Sequence, residues 1–185
     1  MVPLASLWMP ILLSAVIVFV ASSLLHMVLK YHRGDWAKVT NEDAVMDVLR
    51  PTPPGDYMMP YSTGPEMMKD PAFLEKMKRG PMAVVTIMGG DMQTAFKKSL
   101  GLWFVYSVVA GVFAAYVAGR TLGPGTEYGR VFQIVGTVAF LAYGLALAQM
   151  SIWYGRKWST TIKSIVDALI YGMLTAGTFG WLWPK

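Results

Sequence analysis

The run LASLWMPILLSAVIVFVASSLLHMVL, Leu4 to Leu29, contains no Asp, Glu, Lys or Arg. About 20 such residues suffice for a helix to cross the hydrocarbon of a bilayer. Three further runs are long and apolar enough to do the same, Leu100 to Gly119, Val131 to Trp153 and Ile162 to Trp183. The reading is therefore an all-α integral membrane protein with four transmembrane helices. A cleaved signal peptide is the rival for the first run, but the run is too long and no basic residue precedes it, so a retained helix is expected. The expected organisation is a first helix over 1–30, a loop or cap over 31–99 with short surface helices, and a three-helix transmembrane portion over 100–185.

Charge then orients the chain. Thirteen of the sixteen Lys and Arg residues lie between the first two runs or at the turn between the last two, and only Arg120, Arg130 and Lys185 lie on the opposite side. Basic flanks stay on the cytoplasmic side, so both termini are expected outside and the 31–99 loop inside. Trp and Tyr fall into two belts at the corresponding levels, Trp8, Tyr116, Tyr128, Trp181 and Trp183 at one and Tyr31, Trp36, Trp103, Trp153, Tyr154 and Trp158 at the other. The net charge of +5 then reflects this orientation and gives no indication of nucleic acid as a partner. The chain has no cysteine, which excludes thiolate metal sites, disulfides and cysteine nucleophiles.

Within the loop, Asn41 before EDAVMDVLR reads as a helix cap, and Asp70-Pro71 opens a second short helix, PAFLEKMKR, that Gly80 ends. The stretch GDYMMPYSTGPEMM reads as irregular. PMAVVTIMGG, covering 81–90, is open between strand, buried loop and re-entrant piece, being too short to span. Asp91 suits the N-cap of a helix continuing into the second span. Nine of the fourteen methionines fall between Met46 and Met92, as expected of an inner cap or of an adaptable partner surface.

Few residues carry chemistry. The only histidines are His26 and His32. On a continuous helix six residues advance about 600°, which puts the two on different faces and His32 beyond the apolar core; joint metal ligation is not expected. His26 alone is the candidate cofactor residue, as an axial ligand to haem or pigment or a hydrogen-bond partner of a quinone, against a plain boundary anchor, the favoured reading. Lys163 and Asp167, four apart, are expected to form a local ion pair. Glu42, Asp43 and Asp47 have the chemistry to bind a cation but lack the spacing of a known loop site, and Asp43 and Asp47 read as a solvated helix face; Gln133 and Gln149 read as interhelical hydrogen-bonders. Small residues recur one turn apart at Gly111, Ala115 and Gly119, at Gly144 and Ala148, and at Ala168, Gly172, Ala176 and Gly180, a spacing that lets helix backbones approach closely in lipid. No nucleophile elbow, HExxH, phosphate loop or dinucleotide fingerprint is present, so the reading leans away from an enzyme, with no catalytic residue and no required cofactor.

The segments HMVLKYHRGDW and NEDAVMDVLR, with GLWFVYSVVAGVFAAYVAGR and DALIYGMLTAGTFGWLWP, resemble uncharacterised bacterial multi-span inner-membrane proteins. That resemblance implies class and location, the bacterial inner membrane, and brings no activity or site residue. The functional expectation is a non-enzymatic accessory, scaffolding or assembly subunit, in contact with the lipid bilayer and with membrane-protein partners or further copies of itself. The alternatives are a small haem-, pigment-, quinone- or lipid-binding redox protein using His26, and a homo-oligomeric channel or transporter.

Overall fold

The computed structural model describes all 185 residues. It is mostly helical, and four of its helices are long and apolar enough to cross a membrane: Leu4–Val28, Met92–Thr121, Tyr128–Tyr154 and Trp158–Trp181. The chain divides into two units, Met1–Ala37 with Phe96–Lys185, and Lys38–Ala95.

The larger unit is a helical bundle. Helix α1 is Trp8–Ser23, entered by a tight turn at Leu4–Leu7 and prolonged by a wide π turn at Leu24–Val28. In the smaller unit come α2 (Glu42–Leu49), β1 (Gly55–Met59), α3 (Pro71–Arg79) and β2 (Ala83–Ile87). There follow α4 (Met92–Thr121), α5 (Tyr128–Tyr143), α6 (Ala148–Tyr154) and α7 (Trp158–Trp181). The bundle is apolar outside as well as inside: Leu12, Val16, Val20, Val109, Phe113, Leu169 and Met173 are all exposed. A surface of that kind is matched by hydrocarbon and not by water.

Small residues set the helix spacing. Gly111 faces Ile11 of α1, and Gly119 lies so close to the N-terminal segment that a Cβ there would sit 2.6 Å from the Val2 carbonyl. The Val2 amide donates to the Gly119 carbonyl at 2.8 Å, so two backbones touch where only glycine leaves room. Ala115 is fully buried between them. Along α5 and α7, Gly172 faces the Phe140 amide and the Gly136 carbonyl, Gly136 faces Ala176, Gly144 faces Ala168, and Gly180 faces the Tyr128 ring. Ala148 is half-buried.

The third span is not one straight helix. It breaks at Gly144 and passes through a tight turn at Leu145–Leu147 before α6 resumes. The break interrupts the ladder of backbone hydrogen bonds, and an unpaired carbonyl in lipid is costly; the Tyr106 hydroxyl of α4 donates to the Ala142 carbonyl beside it.

In the smaller unit, β1 and β2 pair antiparallel, with Tyr57 opposite Val85 and Met59 opposite Ala83. Thr86 donates to its cross-strand partner Asp56 at 2.7 Å. This corrects the all-α expectation and the irregular reading of GDYMM, which lacks β-branched residues and becomes a strand only by pairing with AVVTI. Asp70 caps α3 through the Ala72 amide at 3.0 Å, Gly80 ends that helix at φ +59°, and Asp91 caps α4 through the Thr94 amide at 2.9 Å. Asn41 does not cap α2 with its side chain; it takes a left-handed turn at φ 53°.

Candidate functional site

The first span ends by folding back. The amide of Leu29 bonds to the Leu24 carbonyl at 3.0 Å, five residues back, closing the π turn. Leu29 is then extended, and Lys30–His32 form a tight turn whose carbonyls accept from Arg33 and Asp35. Wide turns of this kind are rare and recur at functional sites.

The consequence overturns the expectation for the two histidines. Their rings stack 4.3 Å apart and 9° from parallel. His32, expected on the solvent side, has a side chain only 12% exposed. The premise that failed is helix continuity: one extra residue per turn and the extended Leu29 replace the rotation of about 100° per residue.

Both rings meet α7 at Asp167, a buried carboxylate. His32 Nε2 is 2.9 Å and His26 Nε2 3.8 Å from Asp167 Oδ2, while the Tyr31 hydroxyl donates to Oδ1 of the same group. On the far side, His32 Nδ1 is 2.7 Å from Asp35 Oδ2 and His26 Nδ1 is 3.0 Å from the Ser22 carbonyl. Carboxylates and carbonyls only accept, so Nδ1 of each ring carries a hydrogen, and His32 donates from Nε2 to Asp167 as well.

Lys163 and Asp167 do not pair with each other, a second correction. Lys163 Nζ donates to Asp35 Oδ1 at 2.6 Å and to the Tyr31 carbonyl at 2.5 Å, because the folded-back segment offers α7 closer partners than its own next turn does. Burial pushes the Asp35 carboxyl up, but the hydrogen bonds and charges of Lys163 and His32 outweigh it and hold the group below its ordinary value of 3.8. Sequence reasoning missed Tyr31, His32 and Asp35 as site residues. The only available signal was the density of polar groups in KYHRGD at a helix exit. Gln133 accepts from Arg130 on its own helix and Gln149 is exposed, so neither bridges helices.

Beside this cluster lies a cavity of about 540 Å³. Its walls are mostly apolar, with Trp103 and Tyr106 from α4, Tyr143 from α5 and Tyr171 from α7 as the large rings, and serines, His26 and Asp167 contributing polar atoms. The rings of Trp103, Tyr143 and Tyr171 pack mutually at 5.6–5.9 Å. The Trp103 indole donates to Ser22 at 2.8 Å, which ties the aromatic wall to the carbonyl that orients His26. The break at Gly144 brings Leu147 onto the same wall. The Tyr171 hydroxyl is buried and has no hydrogen-bond partner, a state that costs about 1–3 kcal/mol unless something else supplies one. No protein-family model, curated protein or solved structure matches this chain.

Proposed function

We propose that the chain is a membrane protein that takes a lipid-soluble, ring-bearing molecule of the quinone class into the aromatic cavity, with His26 and Tyr171 as its hydrogen-bond partners. This is the His26 alternative among the expectations from sequence, and the unpaired Tyr171 hydroxyl is the observation that carries it. A cavity that is chiefly apolar with a few convergent polar groups is the usual form of a small-molecule site. Flat rings stack on Trp and Tyr, and a ring carbonyl accepts what Tyr171 has to donate. In this reading the protein lies in a bacterial inner membrane with both termini outside and residues 31–99 on the cytoplasmic face, the orientation its basic residues support.

The test is Trp103 fluorescence in detergent-purified protein titrated with decylubiquinone, with Trp103→Phe as the blank for the other six tryptophans. Saturable quenching that weakens at least tenfold in Tyr171→Phe or His26→Ala is expected. Quenching no greater than the blank contradicts the proposal.

A second reading, the accessory subunit, draws on the smaller unit, where Met58, Met59, Met68, Met82 and Met88 are exposed beside Tyr61. Methionine-rich surfaces adapt to partners. Native mass measurement on protein extracted from its source membrane tests it: retained partner chains support it, and a bare single chain counts against it.

A further inference from the structure

We propose that His26, His32 and Asp167 form a binding site for one divalent first-row transition-metal ion, of the kind that prefers imidazole with carboxylate. The site goes beyond the quinone reading and does not depend on it. Three observations converge.

The first is the donor set. Two imidazole nitrogens and one carboxylate oxygen lie within 4.8 Å of one another, with individual separations of 2.9 and 3.8 Å. Donors bound at about 2.0–2.2 Å to a common ion lie roughly 3–4 Å apart; an ion would take the place of the hydrogen between His32 Nε2 and Asp167, and the His26 ring, stacked on His32 at 9° from parallel, would turn to aim its Nε2 at the same ion. Two His and one carboxylate is a recurrent set for zinc and for non-haem iron, and it leaves coordination positions open.

The second is the support behind the donors. Metal-binding histidines give their other N–H to a carboxylate or a carbonyl, which fixes the tautomer and aims the lone pair. Here His32 Nδ1 is held by Asp35 at 2.7 Å and His26 Nδ1 by the Ser22 carbonyl at 3.0 Å. Tyr31 holds the second oxygen of Asp167, and Lys163 holds the second oxygen of Asp35. A plain salt-bridge cluster would account for His32, Asp35, Asp167 and Lys163. It would not require the His26 ring to present Nε2 to the same carboxylate oxygen while its Nδ1 is occupied.

The third is placement. The donors converge where a helix is locally unwound, and His26 and Asp167 also line the cavity, so the open coordination positions face a space that a small molecule can enter.

Tag-free protein is the material for the test, since its only imidazoles are these two. After chelator stripping in mild detergent it is titrated with Co²⁺, read by ligand-field absorption, and then with Zn²⁺ in competition. One ion per chain is expected, displaced by Zn²⁺. His26→Gln should weaken binding at least tenfold; its side chain is 51% exposed, so the variant keeps its fold. Asp167→Asn should weaken it further, and Asp35→Asn by about 10–100-fold through the loss of ring orientation. Fewer than about one ion per ten chains, or His26→Gln binding Co²⁺ as the parent does, overturns the proposal. Quinone quenching is read on separate, metal-free samples, so either proposal can fail alone.

Discussion

Asp35 and Tyr171 illustrate opposite residue-level situations. Asp35 is satisfied on both oxygens, and its carboxyl titrates below 3.8. A carboxyl whose folded value is depressed adds stability that is fully present above the unfolded value and is lost as pH falls through the folded one. The thermal midpoint in detergent is therefore expected to drop as pH falls below about 3.8, and Asp35→Asn should flatten that part of the profile while lowering the midpoint at pH 7. An unchanged profile in the variant would show that Asp35 does not make these bonds. Tyr171, by contrast, buries a hydroxyl with nothing to bond. Tyr171→Phe should raise the stability of ligand-free protein by about 1 kcal/mol while weakening quinone binding, and a variant that loses stability would mean the hydroxyl already has a partner. Neither situation was legible in the sequence. Asp35 sits in a polar stretch that reads as solvated loop, and the i, i+4 spacing of Lys163 and Asp167 favours a local pair that the folded-back segment outcompetes.

At the level of elements, the small-residue spacing reports real close approaches, and its consequences differ by position. A Cβ at Gly172 would lie 3.2–3.3 Å from the Phe140 amide, the Gly136 carbonyl and the Phe140 Cβ, whereas one at Gly101 in α4 would meet nothing within 4 Å. Gly172→Val should separate α5 from α7 and cost about 1–3 kcal/mol by overpacking. Gly101→Ala should be neutral or gain about 0.5–1 kcal/mol from helix propensity. Thermal unfolding of the two variants checks both, and equal effects would contradict the assignment of that face. The four long apolar helices were readable because length and hydropathy alone mark such segments. The break at Gly144 and the π turn at Leu24–Val28 were not readable, because glycine is common inside membrane helices and nothing in LLHMV marks a widened turn. The pairing of β1 with β2 joins residues about thirty apart, and no local pattern announces a contact of that range.

For the whole molecule, the arrangement that matters is the return of the Leu29–Trp36 segment onto the first turns of α7. That return gathers His26, His32 and Asp167 beside the cavity lined by Trp103, Tyr106, Tyr143 and Tyr171; with a straight helix exit the chain would have two unrelated histidines. It can be measured without knowing any ligand. A double-mutant cycle on Asp35→Asn and Lys163→Met, read by unfolding in detergent, reports the bond between residues 128 apart in sequence. A coupling of about 1.5–3 kcal/mol, as for a hydrogen bond to a charged group, is expected. Additivity to within about 0.5 kcal/mol would mean that the segment does not reach α7 and that the His26, His32 and Asp167 site is not assembled.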